Sequence, residues 1–273
     1  MRAAGRGLSY AVLAAITFVL VFPLLYAVAG SLMTASELAS YPPALIPLHP
    51  QLSSFGDVLR AIPLARQYLN SALVASLITL GQMATAVLSA YAFAFLKLPY
   101  RNLLFGVFLA TMFIPWEAII IPNYLFMADN GLINTYPALI LPFLATGFGT
   151  FLLRQFFLSF PRDLYEAALV DGCGHLRFLW QILVPLSRPA LASLGIWAFL
   201  QAWNQYFWPL LVTKTEEMQT LQIGISRLRD IESAIAPNFI LAGTVLALVP
   251  TLLLIYLGQR HIVRGLTAGA LRG

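Results

Sequence analysis

Residues 67–96 read QYLNSALVASLITLGQMATAVLSAYAFAFL and contain no Lys, Arg, Asp or Glu. A helix that crosses a lipid bilayer needs about 20 mainly apolar residues, because each residue adds only about 1.5 Å of rise. This stretch is long enough for such a helix. It predicts a protein built around membrane-spanning helices.

The composition of the whole chain agrees with this prediction. Of its 273 residues, 60% are hydrophobic and 10% are charged, and mean hydropathy is +0.81, whereas a soluble chain carries about 25% charged residues. A disordered protein and an ordinary cytosolic domain are therefore excluded. The net charge of +5 comes from scattered basic residues, which favours a membrane explanation over a nucleic-acid partner. Cys173 is the single cysteine, so no intrachain disulfide is possible.

Other charge-free stretches locate five further spans, giving an all-α polytopic membrane protein with a single transmembrane domain over residues 1–273. The six predicted spans are 9–33, 69–95, 102–122, 136–157, 188–212 and 238–258. The third holds Glu117 within it or at its edge, between Pro115 and Pro122. The charge-free window 38–56 contains four prolines and is predicted to be an extended loop outside the membrane.

The distribution of charge predicts that both chain ends are cytoplasmic. In that orientation the inner segments hold eleven basic and three acidic residues, a net charge of +8. The outer segments hold five basic and eight acidic residues, a net charge of −3. Lys and Arg concentrate on the cytoplasmic side of membrane proteins. Residues 27–29 (AVA) resemble a signal-peptidase site, but the apolar run before them is longer than a signal peptide's, so an uncleaved first helix is expected.

Motifs for catalysis, cofactors and metals are missing from the sequence. No Gly-Lys-Ser/Thr is present for a phosphate-binding loop, the three histidines are far apart, and no Ser/His/Asp set clusters in a span. Glu117 is the one carboxylate predicted inside a span or at its edge, whereas ion-driven carriers use several ionisable residues. We therefore expect no catalytic, cofactor-binding or metal residues, and an energy supply from a partner.

The longest predicted inner loop, residues 158–187, contains two short helices. Pro161 and Asp163 suit the start of the first helix, and Gly172 suits its end. Leu164, Ala167 and Ala168 have the spacing of one small, flat helix face. The second helix is predicted over 176–183, with Pro185 ending it. Such helices suit either docking into another protein's groove or lying on the membrane surface.

A spaced motif in this loop favours docking. Glu166-Ala167-Ala168, three residues, Gly172, nine residues and Ile182-Leu183-Val184-Pro185 resemble the EAA motif of ABC importer permeases, which ends in I-x-L-P. Val184 stands where the family usually has leucine. An E-A-A tripeptide alone is weak evidence, but the full spacing in the expected loop of a six-span chain is specific.

Further segments resemble the carbohydrate-uptake group of these permeases, and more closely its glycerol-3-phosphate and glycerophosphodiester subunits. They are LRQFF at 153–157, WNQYFWP at 203–209 and VRGLTAGA at 263–270. The resemblance implies a type I ABC importer permease fold in the bacterial cytoplasmic (inner) membrane. It also implies a heterodimer with a second six-span permease, an ATPase subunit pair that holds ATP and Mg²⁺, and an extracytoplasmic solute-binding protein. The chain itself would be a transport subunit and not an enzyme.

The resemblance assigns ATPase coupling to the EAA loop, and two residue sets follow as candidates. For coupling we expect the motif positions Glu166, Ala167, Ala168, Asp171, Gly172 and Pro185. Substrate-path candidates are amides, aromatic residues and one carboxylate near spans three and five: Trp116, Glu117, Asn123, Tyr124, Gln201, Trp203, Asn204, Gln205, Tyr206 and Trp208. Asn70 and Gln82 in span two are further polar candidates.

Structural roles compete with these assignments, because Trp and Tyr also form interfacial belts and buried amides also bridge helices. At the level of function, the alternative is a secondary transporter or channel subunit, which predicts mid-membrane ion-coupling residues or an inverted repeat. Neither is evident in the sequence. Sugar and glycerol-3-phosphate-type solutes both remain possible substrates.

Overall fold

The computed structural model describes residues 2–231 and 237–267. Within these ranges the chain is helical, with no strand. In chain order the helices are α1 (Arg2–Ser31), α2 (Ala35–Leu38), α3 (Ser53–Ala61), α4 (Leu64–Phe95), α5 (Arg101–Ala110), α6 (Trp116–Asp129), α7 (Tyr136–Ile140), α8 (Gly147–Leu158), α9 (Arg162–Val170), α10 (His175–Phe178), α11 (Val184–Leu186), α12 (Arg188–Trp203), α13 (Phe207–Val212), α14 (Leu221–Ile231) and α15 (Pro237–Thr267). Short 3₁₀ turns cover Thr111–Phe113, Leu141–Phe143 and Glu216–Met218, and a π-helical turn covers Leu179–Leu183.

Three helices in the described ranges are long and apolar enough to cross a membrane unbroken. They lie over Ser9–Ser31, Leu64–Phe95 and Pro237–Gly258. Three bent pairs pass the same test when each is taken as one span: Arg101–Phe113 with Trp116–Asp129, Tyr136–Phe143 with Gly147–Leu158, and His175–Leu186 with Arg188–Trp203. By length and composition, the described chain thus provides between three and six spans.

The prediction of one continuous helix over 102–122 is wrong. The chain bends by 91° between Phe113 and Trp116. Pro115 has no N–H and forces the residue before it out of the helical region, and Ile114 is extended, with φ −78° and ψ 114°. Glu117 therefore lies in the first turn of α6, where it is exposed.

Predicted spans four and five are also interrupted. Span four bends by 44° between Phe143 and Gly147. The predicted helix over 188–212 stops at Trp203 and resumes at Phe207. Asn204 is consequently the C-cap of α12, and its side-chain amide donates to the Leu200 carbonyl at 2.8 Å.

The described residues form two compact units. One comprises the chain up to Arg66 with Leu221–Pro250, and the other comprises Gln67–Thr220 with the chain from Thr251 onward.

In the first unit, the proline-rich segment 39–52 is non-helical, as the four prolines predict, although α3 already begins at Ser53. Helix α14 lies between predicted spans five and six, in the loop of residues 213–237, where no helix was predicted. Residues 232–236 of that loop, Arg272 and residues 268–270 of the C-terminal motif lie outside the described residues.

Glu37 fixes both ends of the segment 39–52. One carboxylate oxygen accepts from the Thr34 backbone N–H at 2.9 Å, in a capping box with the Thr34 hydroxyl. The other accepts from the backbone N–H groups of Leu48 at 3.2 Å and His49 at 3.0 Å, and it lies 3.1 Å from His49 Nδ1. The hydrogen bond from Thr34, with those from His49, lowers the pKa of Glu37 below its ordinary value of 4.5.

The second unit has a core shared by α4, α8, the segment α9–α11 and α12. Its members include Ala86, Ala90, Tyr91, Leu153, Phe157, Phe178, Leu183 and Leu194. Helices α4 and α8 approach closely at Gly149, where a Cβ would lie 3.2 Å from Ala86 Cβ. The hydroxyls of Ser89 and Thr150 meet at 2.7 Å beside this contact. Small residues allow such helix approach in apolar surroundings, and the hydroxyl pair adds a directional bond.

Candidate functional site

A cavity of about 750 Å³ opens among α4, α6, α8, α12 and α13 in the second unit. We call it the aromatic cavity. Its aromatic lining consists of Trp116, Phe143, Phe148, Trp197, Phe207 and Trp208, and its polar lining of Gln82, Thr111, Thr146, Gln201, Gln205 and Tyr206. Among the described residues, no Lys, Arg, Asp or Glu lines it. A cavity of this size fits a small solute.

The aromatic rings on one side of the cavity hold one another in place. Trp116 lies 4.6 Å from Phe143 and 5.7 Å from Trp208 between ring centroids, the latter pair edge to face at 81°. The indole N–H of Trp208 donates to the Ala138 carbonyl at 2.8 Å. These contacts fix flat apolar surfaces, which suit the C–H faces of a polyol or sugar.

The amides supply hydrogen-bonding groups. Gln82 Nε2 donates to the Phe143 carbonyl at 2.9 Å, which orients the side chain from α4 towards the break between α7 and α8. The Oε1 atoms of Gln82 and Gln205 are buried without a hydrogen-bond partner among the described residues. A buried oxygen without a donor is costly, and both side chains are held in place within the cavity wall.

The structure brings together five of the ten predicted substrate-path residues: Trp116, Gln201, Gln205, Tyr206 and Trp208. Gln82 joins them, and the other five, Glu117, Asn123, Tyr124, Trp203 and Asn204, do not line the cavity. Asn123 donates to the Ile119 carbonyl of its own helix at 2.9 Å, and Trp203 is buried against Phe199.

Asn70 connects parts of the second unit and does not line the aromatic cavity. Its amide donates to the carbonyls of Glu217 and Gln219 at 2.8 Å each, and its Oδ1 accepts from the Tyr136 hydroxyl at 2.7 Å. It thereby ties α4 to α7 and to the chain after α13.

Five further lining residues were not predicted from the sequence: Phe143, Phe148, Trp197, Thr111 and Thr146. The aromatic side chains among them sit in apolar runs that carry no local signal of a cavity.

The predicted turn at Gly172 is confirmed. Gly172 has φ +72°, a conformation that other residues adopt only with strain. It separates α9 from α10, and the Cys173 N–H donates to the Ala168 carbonyl at 2.8 Å across the turn. Pro185 does not end the second helix as predicted. The helical chain passes through it to Leu186 after the π-helical turn at Leu179–Leu183.

The small face predicted over Leu164, Ala167 and Ala168 is not uniformly exposed for docking. Ala168 is only 7% exposed and belongs to the core of the second unit, whereas Leu164 and Ala167 are exposed. The helix α9 turns Tyr165 and Ala168 inward, so its outward face carries Glu166, Ala167 and Val170. The spacing of three and four residues correctly predicts neighbours, but not which flank of a short helix meets the core.

Aromatic packing anchors this loop. Tyr165 lies 5.1 Å from Phe95 and 5.0 Å from Phe178 between ring centroids. His175 Nδ1 lies 2.9 Å from the Tyr91 hydroxyl and 3.3 Å from the Tyr165 hydroxyl. Apolar side chains remain exposed on the other side of the same segment, among them Leu164, Leu169, Val170, Leu176 and Trp180. A rigidly mounted segment with an uncovered apolar surface can transmit a displacement from a partner to α4.

Broken apolar helices around a solute-sized cavity are typical of membrane transport proteins. The residues 82–268 match the family model for the binding-protein-dependent transport system inner membrane component. The chain belongs to this family, and it is a permease subunit of an ABC importer in the inner membrane.

Relatives and a solved structure agree with this assignment. The chain is 38% identical over 256 residues to the sn-glycerol-3-phosphate transport system permease protein UgpE of Agrobacterium fabrum, covering 91% of each. It is 37% identical to UgpE of Brucella abortus, covering 91% of each, and 36% identical to UgpE of Yersinia pestis, covering 90% of each. Its fold matches a chain of a bacterial ABC transporter that imports the acidic polysaccharide alginate, with a TM-score of 0.83, 22% identity, and coverage of 95% and 97%.

These similarities define the chain as a transport subunit and not an enzyme. An importer permease of this kind works with another permease, an ATPase and a solute-binding protein.

Proposed function

We propose that this chain forms half of the translocation pathway for sn-glycerol-3-phosphate or a glycerophosphodiester. The observation that carries this is the aromatic cavity in a chain whose relatives are glycerol-3-phosphate permeases. Glycerol hydroxyls suit the exposed polar side chains of Gln201 and Tyr206, and the carbon skeleton suits the ring of Trp116.

The cavity also favours a second candidate, a neutral sugar. No cation lines it, whereas a phosphate group is bound in proteins by Arg, Lys or backbone N–H groups. For glycerol-3-phosphate, the phosphate would have to be held by the second permease or by the solute-binding protein. For a sugar, the aromatic rings and amides of this chain would be sufficient.

The proposed topology has six spans with both chain ends in the cytoplasm and one permease domain over residues 1–273. It counts the bent helices Arg101–Asp129 and Tyr136–Leu158 as one span each, and α12 with α13 as another. The charge asymmetry of the connecting segments supports this orientation. It places residues 158–187, hereafter the coupling segment, in the cytoplasm and the segment 39–52 outside.

The coupling segment would transmit the ATPase cycle to the pathway. The exposed side chains Leu164, Val170 and Leu176 offer an apolar surface to an ATPase groove. Glu166 and Ala167 lie on the same outward side of α9, while Asp171 and Gly172 form the bend and Pro185 lies in the stretch leading to α12. ATP and Mg²⁺ would be held by the ATPase pair, with no cofactor in this chain.

The contact between the coupling segment and α4 suggests how the ATPase cycle could open the pathway alternately to the two sides of the membrane. Closure of the ATPase pair would displace the coupling segment, which is packed on α4 through Tyr165, His175 and Phe178. Helix α4 carries Gln82 of the aromatic cavity, so the same displacement would alter the cavity. A heterodimeric second permease would complete the pathway, and the solute-binding protein would meet the outer segments around 39–52 and 213–231.

Reconstitution tests this function. The chain, its partner permease, the ATPase and the binding protein are incorporated into liposomes, and uptake of labelled sn-glycerol-3-phosphate is measured with and without ATP. We expect ATP-dependent uptake that excess unlabelled glycerol-3-phosphate abolishes. ATP-dependent uptake of a sugar that glycerol-3-phosphate does not inhibit would favour the second candidate. Uptake without ATP would contradict the importer mechanism and favour a secondary transporter.

A further inference from the structure

A second cavity, of about 740 Å³, lies where α4 ends and where α8 passes into α9. Its lining carries Lys97, Arg101 and Arg162 with a single carboxylate, that of Glu166. We call it the basic cavity. It is separate from the aromatic cavity, and no residue lines both.

The three cations of the basic cavity are not neutralised by neighbours. Within the described parts of the chain, no carboxylate lies within 4.0 Å of a basic group of Lys97, Arg101 or Arg162. Lys97 and Arg162 are exposed, and Arg101 is half-buried, with Nη1 donating to the Ala94 carbonyl at 3.4 Å. Like charges gathered around one cavity repel each other, and an anion in that cavity would relieve this repulsion.

Most of the remaining lining is apolar. Leu103 is 66% exposed and Leu158 is 45% exposed, and behind them Phe160 is half-buried and Phe157 is buried. Leu103 lies in the first turn of α5, and Leu158 is the last residue of α8. Both helices belong to apolar bent pairs that are long enough to cross a membrane, so the cations lie beside two exposed leucines of candidate spans.

Tyr100 at the cavity rim is 80% exposed and has φ +52°. A left-handed conformation is uncommon in an aromatic residue and is retained where surrounding structure or function favours it. Tyr100 lines the same cavity as Lys97 and Arg101. Tyrosine is enriched where the hydrocarbon layer of a membrane meets the headgroups.

We propose that the basic cavity binds the headgroup of an anionic phospholipid, with its acyl chains along Leu103 and Leu158. Lys97, Arg101 and Arg162 contact the phosphodiester. Under the topology above, the lipid belongs to the cytoplasmic leaflet, where basic pockets between helices recognise acidic headgroups. The apolar wall selects a lipid over a soluble phosphate. Since Tyr165, Glu166 and Leu169 of α9 also line the cavity, bound lipid would brace the coupling segment.

Lipid titration of the purified importer complex tests the proposal. Native mass spectrometry counts the lipids retained from dioleoylphosphatidylglycerol and from dioleoylphosphatidylcholine. We expect the wild type to retain phosphatidylglycerol preferentially, also in an excess of inorganic phosphate or glycerol-3-phosphate. Lys97→Gln and Arg162→Gln should each weaken that retention about fivefold, the effect of one cation near a headgroup, and Arg162→Lys should largely restore it.

Arg177→Gln and Lys214→Gln are matched controls, because each removes one exposed cation that does not line the basic cavity. Both should bind phosphatidylglycerol as the wild type does. The proposal is overturned by equal retention of the two lipids, by displacement with inorganic phosphate or glycerol-3-phosphate, or by equal losses in the controls. It is also overturned if Lys97→Gln and Arg162→Gln release the ATPase but leave lipid retention unchanged, since the cations would then bind an acidic protein segment.

Discussion

The hydroxyl of Tyr91 lies 2.9 Å from Nδ1 of His175. Tyr91 is a buried residue of the long helix α4, and His175 is the first residue of α10, immediately after the bend of the coupling segment. This hydrogen bond, with the packing of Phe178 against Phe95, attaches the segment that is proposed to meet the ATPase to a helix that lines the aromatic cavity.

Tyr91→Phe should weaken coupling without unfolding the protein. Phenylalanine keeps the stacking on Phe95 at 5.4 Å but loses the bond to His175, which contributes about 1 kcal/mol. We expect less solute transported per ATP hydrolysed, measured in proteoliposomes. Tyr165→Phe, which loses a longer contact of 3.3 Å, should have a smaller effect. An unchanged transport ratio in Tyr91→Phe would show that this bond takes no part in coupling.

Gly172→Ala should disturb the bend between α9 and α10. Open space surrounds a Cβ at this position, so the cost comes from the left-handed backbone and amounts to about 1–2 kcal/mol. Gly174 offers a matched control because it has φ −70° and equally open space. We expect substrate-stimulated ATPase activity to fall in Gly172→Ala and to persist in Gly174→Ala. Equal activities would rule out a conformational requirement at Gly172.

Leucine substitutions at adjacent alanines should have different consequences. Ala168→Leu overpacks the core and should lower the free energy of unfolding by about 1–3 kcal/mol, seen as a lower thermal midpoint of the complex. Ala167→Leu adds bulk to the exposed side and should preserve that midpoint while reducing co-purification of the ATPase. Should Ala168→Leu keep its midpoint and lose the ATPase, Ala168 would belong to the docking surface after all.

Gln82→Met should raise the KM for uptake. The change keeps the side-chain length but removes the amide of a residue that lines the aromatic cavity, together with its bond to the Phe143 carbonyl. Loss of one hydrogen bond to the solute corresponds to about a threefold to tenfold increase. Asn123→Leu, outside the cavity lining, is the control, and initial uptake rates across a concentration series measure both. A KM increase seen only in Asn123→Leu would mean that the solute contacts Asn123 and not Gln82.

The segment 39–52 should lose order in acid. Because the pKa of Glu37 is lowered in the folded protein, its contribution to stability is complete above the ordinary value of 4.5 and is lost as pH falls below that value through the lowered pKa. Hydrogen exchange of the Leu48 and His49 amides, corrected for intrinsic rates, measures this change. Glu37→Gln should show weak protection already at neutral pH. Protection that is equal in wild type and variant at every pH would exclude this role of the carboxylate.

Much of the architecture was predictable because it depends on local chemistry. The apolar run of α4, the non-helical segment around four prolines and the turn at Gly172 follow from the residues present at each position. The bends in the helices could be predicted less well. Pro115 marks a break in a helix, but its direction and the 91° angle depend on packing against other helices. Helix α14 was missed because its apolar residues are too few to resemble a span.

The candidate site was likewise only partly predictable from the sequence. Trp116, Gln205 and Trp208 were recognisable as polar or aromatic residues near predicted spans, yet nothing local separates them from Glu117, Asn123 and Asn204. The separation arises because α6, α8, α12 and α13 converge on α4 from distant parts of the chain. Asn70 has the same chemistry as Gln82, but its neighbours use all of its hydrogen-bonding groups.

The sequence by itself determined that this chain belongs in a membrane, that it is an ABC importer permease, and that a glycine-centred bend interrupts the loop 158–187. Composition, run length and motif spacing are properties of the chain that hold before it folds. Only the tertiary structure decided that Ala168 faces inward and Ala167 outward, which amides share a cavity, and that three unpaired cations meet at one apolar wall. These depend on contacts between residues far apart in sequence, which form only when the helices pack.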